Sequence, residues 1–241
     1  MKTKFFNSSV LSPTIAASKQ HTAFTQGDIV FDWLGFEIPK GTAKVLGATV
    51  ILRAKNDGGQ TVQPAGLDLL FAKGPVPDAT PSSLGTVNAE ITNFASTEIV
   101  GAMPYSSNDV FGTRTLYQSL VSTCETVLEP NPNSGSTKGV DKFYVAGVAA
   151  GALDFTSGHT VNESNFGAGT QTVITVADVD ATSGFVAGDV IHAQDDAVLG
   201  TIASVDNATQ ITLTAANTAA IEDDDVLYNI NPIRIILHFS K

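Results

Sequence analysis

The chain has 241 residues, of which 43% are hydrophobic and 15% are charged, so it has enough apolar sequence for a buried core and too little charge for a disordered chain. Its formal net charge is −11 and its 13 Lys and Arg residues do not cluster, which argues against direct binding to nucleic-acid phosphates. Cys124 is the only cysteine, which excludes a disulfide scaffold within one chain and a multi-cysteine metal site, and no window of about 18 consecutive apolar residues predicts a membrane span.

The first 20 residues begin with Lys and Phe residues, but Asn, Ser and Pro13 interrupt any apolar stretch of the kind a signal peptide needs. We therefore predict an extended N-terminal arm over residues 1–20. Such an arm orders either against a partner chain or against the protein's own sheet.

The segments that follow favour strands, because they are rich in β-branched and aromatic residues and are bounded by Gly, Pro and Asn. The predicted strands cover residues 28–36, 43–55, 67–71, 98–102, 113–123 and 143–149. Residues 75–83 and 130–136 are predicted surface loops, since they contain several prolines. The best helical segment is short, near Thr218–Asp223, and the many short strands indicate a β-sandwich or barrel.

The composition changes after about residue 155. Residues 158–169 are rich in Gly, Asn and Ser and are predicted to be a linker. Beyond them lies a weak internal duplication with a spacing of about 36 residues. Each copy consists of a strand, a turn, one hydrophobic residue, a second turn and a second strand. If the two copies pair, they close a small barrel whose core is Val176, Phe185, Ile191, Leu199, Ile202, Ile211, Leu213 and Leu227.

The last strand, predicted over residues 233–239, is strongly apolar and is expected to occupy a central position in the first sheet. The small barrel is then an insertion between two late strands of the main domain. We therefore predict an all-β fold: a jelly-roll-like β-sandwich of residues 21–165 and 229–241, with an inserted small β-barrel of residues 170–228.

Residues that carry chemistry form no recognisable catalytic pattern. There is no Gly-x-Ser-x-Gly motif, and His21, His159, His192 and His238 have no nearby Ser and Asp pattern. We assign these histidines structural or surface roles, and Cys124 a buried apolar role. The sequence predicts no catalytic residues, no cofactor-binding residues and no enzyme activity.

Two acidic segments and one Gly/Lys segment are candidate ion or phosphate sites. Glu222–Asp225 lacks the spaced ligands and the turn glycine of a calcium loop, so it is interpreted as a solvated turn before a strand. Asp195 and Asp196 are interpreted as a hairpin tip. Residues 134–139 do not match a phosphate-binding loop, and no helix follows them. We predict no metal site.

Aromatic residues on a β-sandwich can bind sugars. Trp33 lies in an apolar strand, which favours a core role, whereas Tyr105 and Tyr117 are the better candidates for a sugar platform.

The second part of the chain resembles a module that recurs in virion proteins of tailed bacteriophages. The resemblance covers residues 172–239. It rests on a β-rich run followed by Ser183-Gly184-Phe185, then Gly188-Asp189-Val190, then Gly-Thr-Ile-x-Ser-Val-Asp over residues 200–206. Residues 228–233 are also phage-like, and the first part is similar only in its general composition to structural proteins of marine phages.

This resemblance implies a virion component, and a capsid decoration (cement) protein fits best, because the chain lacks a long coiled coil or a long spine helix. The expected partners are the major capsid protein and further copies of the chain, in a homo-oligomer of which a trimer is one form. The expected location is the capsid surface, without nucleic acid, membrane or cofactor. Two alternatives stay open: a tail, fibre or head–tail connector protein, and a carbohydrate-binding or adhesin module.

Overall fold

The computed structural model describes residues 6–39, 41–55, 61–76, 79–105, 117–122, 126–128, 140–177 and 181–240. In this part of the chain the protein is all-β, as predicted. The strands are β1 (Phe6–Leu11), β2 (Ile29–Pro39), β3 (Ala43–Arg53), β4 (Leu67–Ala72), β5 (Ile99–Met103), β6 (Tyr117–Ser122), β7 (Thr126–Leu128), β8 (Val140–Ala149), β9 (Thr160–Val161), β10 (Val173–Ala177), β11 (Val190–Ala193), β12 (Val198–Asn207), β13 (Gln210–Leu213), β14 (Leu227–Asn229) and β15 (Ile233–Ser240). A 3-10 turn spans Ala17–Lys19 and helix α1 spans Ala181–Gly184.

Two antiparallel sheets form a sandwich. The first sheet has the order β1-β15-β3-β6, with β7 also paired to β3, and the second has the order β2-β8-β4-β5. When β6 and β7 are counted as one strand, this is the strand order of a jelly roll. The last strand, β15, lies between β1 and β3, which confirms its predicted central position.

The sandwich core lies between the two sheets. Alternate residues of β15 point inward, as its burial pattern shows, and pack with inward residues of β2, β3, β4 and β8. The ring of Phe36 stacks on Phe239 from the opposite sheet at a centroid distance of 5.7 Å and also contacts Phe71 and Phe143. Aromatic contacts therefore join both sheets at the centre of the core.

The outer faces of the two sheets differ in their covering. On the second sheet, Leu84 from the segment between β4 and β5 packs with Ile29 and Ala146, beside the half-buried Trp33. On the first sheet, the outward residues Val10, Arg234 and His238 are exposed.

The remaining strands form a separate six-stranded sheet with the order β14-β11-β12-β13-β10-β9. A bridge between Thr160 and Val226 brings β9 next to the start of β14, so the sheet nearly closes into a barrel. All eight residues predicted for the barrel core are buried in one cluster, together with Val161, Ile174, Ala181, Ala193 and Ile221. We call this part of the chain, between β8 and β15, the inserted module.

The two copies of the predicted duplication pair with each other. Strand β10 pairs with β13, and β11 pairs with β14, with His192 opposite Tyr228. This is the pairing that the duplication predicted. The division of the chain into domains with the predicted boundaries stays a prediction.

Two local predictions need correction. Residues 218–223 contain bends, a bridge and a turn instead of a helix, and the short helix α1 lies at residues 181–184. Residues 158–169, predicted as a linker, contain β9 and the buried His159. Within the predicted N-terminal arm, residues 6–20 form β1, which pairs with β15 of the protein's own sheet, and then the 3-10 turn. Because α1 has four residues, no helix within these described ranges is long enough to cross a membrane.

Candidate functional site at the junction of the two modules

The segment from Pro13 to His21, here called the strap, connects β1 to the rest of the jelly roll and contacts the inserted module. The backbone N–H of Ile15 donates to the carbonyl of Ile230 at 2.8 Å, and the side-chain amide of Asn231 donates to the carbonyl of Pro13 at 3.2 Å. The strap is therefore bonded to the chain that leaves the inserted module.

Gln20 holds the strap from inside. Its side chain is 1% exposed, and its Nε2 donates to the carbonyls of Ile15 at 2.8 Å and Asn229 at 3.0 Å. A buried amide that satisfies two carbonyls replaces the water those groups would otherwise need, so it fixes the strap against β14.

A second contact joins the strap to the hairpin between β11 and β12. The backbone N–H and the hydroxyl of Ser18 donate to the two carboxylate oxygens of Asp196, at 2.9 and 2.6 Å. Nearby, Nε2 of His21 lies 3.1 Å from the carbonyl of Gln194, and its ring lies 5.4 Å from the ring of Tyr228. The predicted hairpin tip at Asp195 and Asp196 is thus confirmed, and it contacts the strap.

Electrostatics at this hairpin follow from the same contacts. Burial would raise the pKa of Asp196, but the hydrogen bonds from the hydroxyl and the backbone N–H of Ser18 outweigh it, and the pKa lies below its ordinary value. Burial lowers the pKa of His192, and its Nδ1 is buried with no hydrogen-bond partner among the described residues. The neutral imidazole is therefore favoured.

An ion pair joins the first sheet to the inserted module. Arg53, at the end of β3, contacts the carboxylate of Asp189 and also donates to the carbonyl of Gly184 at 3.3 Å. Both side chains of the pair are about one-tenth exposed (8% and 10%). Burial raises the pKa of Asp189, which the charge of Arg53 and the backbone N–H of Val186 only partly offset.

A cavity of about 20 Å³ lies beside this ion pair, with Gln20, Arg53 and Asn229 among its polar lining and Phe155 and Pro232 among its apolar lining. That volume accommodates one water molecule and is far smaller than the cavities that bind small-molecule ligands. The polar groups of the junction thus hold the jelly roll and the inserted module together. The cavity beside them is too small for a substrate.

The Ser18, Asp196 and His192 arrangement does not have the connectivity of a nucleophilic triad. In a triad the serine hydroxyl bonds the histidine, and the carboxylate lies behind the histidine. Here the hydroxyl of Ser18 donates directly to Asp196. The carboxylate therefore orients the serine directly, and no histidine lies between the two groups.

The four histidines lie in different environments. His159 is fully buried, and its ring lies 4.6 Å from that of Phe185. His21 and His192 lie at the junction. His238 is exposed on β15, with Nε2 3.4 Å from the hydroxyl of Thr49. Only His21 and His192 come near the same hairpin.

The acidic segment before β14 is a turn, as predicted. The carboxylate of Asp225 accepts the backbone N–H of Glu222 at 2.8 Å, and Asp224 adopts a positive φ of 67°. The side chain of Asp225 is therefore used to close its own turn. Within the described ranges, no group of three or more His, Cys, Asp or Glu side chains could hold a metal ion.

Of the two predicted sugar-binding aromatics, the structure describes the side chain of Tyr105. Tyr105 is 5% exposed, and its hydroxyl donates to the carbonyl of Ala48 at 2.9 Å, so the prediction that it is available for a sugar is wrong. Trp33 is half-buried and donates to the carbonyl of Ser82 at 2.8 Å. The side chain of Tyr117, Cys124 and residues 134–139 lie outside the described residues.

Sequence reasoning missed the junction and one further feature. Residues 170–228 contain ten of the 24 acidic residues and none of the 13 Lys and Arg residues, which leaves 13 cationic and 14 acidic residues elsewhere. The inserted segment thus carries a charge of −10, and the rest of the chain carries −1. A charge count for each predicted domain would have found this asymmetry.

No family model and no curated protein matches this chain. Among solved structures, it aligns with the VP2 subviral particle of infectious bursal disease virus at 10% identity and a TM-score of 0.21, over 99% of this chain and 42% of that one. A structure of the Gx strain of the same virus aligns at 8% identity and a TM-score of 0.20, over 98% and 41%. This chain spans less than half the length of these proteins, and similarity at this level carries no argument.

Proposed function

We propose that this chain is a capsid decoration protein, which binds the outer surface of an assembled phage head and stabilises it. The observation that carries the proposal is the jelly roll with a second, nearly closed β module inserted before its last strand. Jelly rolls are among the folds used for viral capsid proteins.

The use of the buried polar groups supports a structural role. The contacts of Gln20, Arg53 and Asp189 fix the jelly roll and the inserted module to each other. The cavity beside them is large enough for only one water. A protein that acts as a rigid connector needs such a junction, because its binding surfaces must keep a fixed geometry to match a repeating lattice.

The resemblance to phage virion proteins supports the same proposal. Residues 172–239, which carry it, form β10 to β15, that is, most of the inserted module and the central strand of the first sheet. The likeness therefore includes the connection between the two parts.

A decoration protein stabilises a capsid by binding the assembled shell better than the free subunits. Each contact can be weak, since many copies on one shell give high avidity. In this proposal the partners are the major capsid protein and further copies of the chain, and the location is the capsid surface. The N-terminal strand β1 lies at a sheet edge and could accept a strand from a neighbour.

Quantitative mass spectrometry of purified virions tests this proposal. A decoration protein is present in a copy number comparable to that of the major capsid protein. A few copies per particle would favour the tail, fibre or connector alternative, and absence from virions would exclude every virion role.

A second measurement tests stabilisation itself. Heads that lack the protein should break at a lower temperature than complete heads, and adding the purified chain should restore the higher temperature. Heads whose stability does not respond to the added chain would contradict the decoration role. The carbohydrate-binding alternative predicts glycan-array binding, although the burial of Tyr105 removes one of its two candidate residues.

A further inference from the structure

The outer face of the first sheet combines cationic and apolar side chains. Val10 of β1 lies opposite Ile236 of β15, and Arg234 of β15 lies opposite Ile51 of β3. Val10 is 51% exposed, Arg234 and His238 are exposed, and Ile51 and Ile236 are half-buried. We call the outward side chains of Val10, Ile51, Arg234, Ile236 and His238 the sheet face.

The sheet face has no acidic neighbour in its own strands. None of the five strands of the first sheet contains Asp or Glu, whereas they contain Lys44, Arg53 and Arg234. Arg53 is buried against Asp189 and Lys44 is half-buried, so Arg234 supplies the exposed positive charge of the sheet face. Exposed apolar side chains beside an arginine are typical of a protein–protein interface.

The inserted module has the opposite charge. Residues 170–228 contain no Lys or Arg. Glu222 and Asp223 are exposed at the turn before β14, and Asp206 is exposed near the end of β12, where it accepts hydrogen bonds from Ser204 and Thr212. The module therefore presents a negative surface without internal cationic compensation.

Within one chain, a cation of the first sheet already pairs with a carboxylate of the inserted module. Arg53, from the inner end of the first sheet, pairs with Asp189 of the inserted module. Arg234 lies further along the same sheet and is exposed, and so are Glu222 and Asp223 on the module. Two complementary charged surfaces on one chain can neutralise each other between copies.

We propose that a second copy of this chain docks its inserted module against the sheet face. The contact is head-to-tail, because it joins two different surfaces, so it leaves one sheet face and one module available for further copies. Such a contact closes into a ring if the rotation permits and otherwise forms an open chain. The proposal concerns the purified protein alone and does not depend on binding to a capsid.

Two variants with reversed charges test this contact. The face variant is Val10→Glu with Arg234→Glu, and the module variant is Glu222→Lys with Asp223→Lys. Wild-type protein should associate at low ionic strength in sedimentation velocity, and added salt should weaken the association. Each variant alone should raise the dissociation constant by roughly tenfold or more, because like charges then face each other.

A mixture of the two variants gives the decisive result. In the mixture, the acidic module of the face variant meets the basic sheet face of the module variant, and the basic module meets the acidic face. Association should therefore return on mixing, although each variant alone is impaired. Failure of the mixture to associate more strongly than either variant would overturn the proposal.

Lys73→Glu with Val76→Glu is the matched control. It makes the same two kinds of substitution on the segment after β4, where Val76 is 55% exposed. This control should associate like the wild type. Equal loss in the control and in the face variant, or a wild type that stays monomeric at every concentration, would overturn head-to-tail docking. If the face variant lost binding to heads while the wild type did not self-associate, the occupant of the sheet face would be the capsid instead.

Discussion

The two hydrophobic cores of this chain are built from different side chains. In the jelly roll, Phe36 contacts Phe71, Phe143 and Phe239, so aromatic rings from both sheets meet. In the inserted module, the buried cluster consists of Phe185 and aliphatic side chains, with the half-buried Phe166 beside it. The sandwich is thus held by aromatic rings that bridge two sheets, and the module by one sheet that curves around mainly aliphatic side chains.

The surfaces of the two parts also differ. The inserted segment carries ten acidic residues and no Lys or Arg, while the rest of the chain is nearly neutral. The module is closed by backbone pairing, including the bridge from Thr160 to Val226. A fold that is closed by its own backbone tolerates a surface of one sign, because its stability depends little on surface ion pairs.

Truncating one aromatic side chain in each core should give the largest change in the free energy of unfolding. Phe36→Ala should lower the free energy of unfolding by about 4 kcal/mol, because the cavity removes contacts to both sheets. Phe185→Ala should cost about 3 kcal/mol. Chemical denaturation gives these values, and hydrogen exchange should show the loss of protection in the jelly roll for the first variant and in the module for the second.

The exposed Phe94→Ala is the control, since its side chain is 53% exposed and its change should stay within about 0.5 kcal/mol. If Phe185→Ala lost protection equally in β2, β8 and the module, the two cores would form one cooperative unit. The comparison between them would then have no energetic meaning.

Removal of the junction cation should have the next largest effect. Arg53→Met leaves the carboxylate of Asp189 buried without its cation, which should cost about 3 kcal/mol at neutral pH. Burial raises the folded-state pKa of Asp189 above its unfolded value, and the loss of Arg53 raises it further. The protonated form then stabilises the fold, so the deficit of the variant should shrink as the pH falls and grow as it rises through that pKa.

Denaturation at a series of pH values measures this deficit. Adding Asp189→Asn to Arg53→Met should remove both the pH dependence and most of the loss. Lys55→Met is the matched control, because the Lys55–Asp154 pair is more exposed, at 28% and 22%, and should contribute less than about 1 kcal/mol. Equal losses of stability in Arg53→Met and Lys55→Met would show that burial of the junction pair does not increase its contribution.

The sequence predicts the strands well where burial alternates or apolar runs are bounded by turns. Strand β15 is an example, since every second residue, including Ile235 and Leu237, is buried. The barrel core was also predictable, because the duplicated pattern placed Val176 and Leu213 at equivalent inward positions. In both cases the local pattern and the tertiary structure agree.

The junction could not be predicted in this way. Ser18 and Asp196 are separated by 178 positions, and no local pattern relates them. Tyr105 follows β5 and looks like an exposed loop aromatic in the sequence, yet its hydroxyl reaches the carbonyl of Ala48 inside the core. Such contacts depend on the packing of whole sheets, which propensity and periodicity do not contain.

One glycine substitution in the jelly roll and one in the inserted module compare the packing of the two parts. Both should lower the free energy of unfolding by less than the substitutions above. A Cβ on Gly147 would lie 2.2 Å from the ring of Phe31, whereas Gly188 has a φ of +93° and no atom within 4 Å of its Cβ position. Gly147→Ala should cost about 2 kcal/mol through overpacking, and Gly188→Ala about 1 kcal/mol through backbone strain. Thermal denaturation measures both. Phe31→Leu should rescue part of the first loss; absence of rescue would contradict a steric cause.

The smallest expected effect is at the strap. Ser18→Ala removes the hydroxyl bond to Asp196 and should cost about 1 kcal/mol at neutral pH. Because the folded-state pKa of Asp196 lies below its ordinary value of 3.8, its stabilising contribution is present above that value and is lost as the pH falls through the lower one. In Ser18→Ala the pKa should return towards the ordinary value, so this part of the acid dependence should flatten.

The carbon-13 shift of the Asp196 carboxyl, followed by NMR during an acid titration, measures that pKa directly. Ser204→Ala is the matched control, because Ser204 donates to Asp206 at 2.6 Å on the surface of the module alone. The control should raise the pKa of Asp206 without changing hydrogen exchange at the strap. Ser18→Ala should increase exchange in β11 and at Ile15, since the strap then loses one of its contacts to the module. If exchange rose equally in both variants, the hydrogen bond between Ser18 and Asp196 would not be what couples the jelly roll to the module.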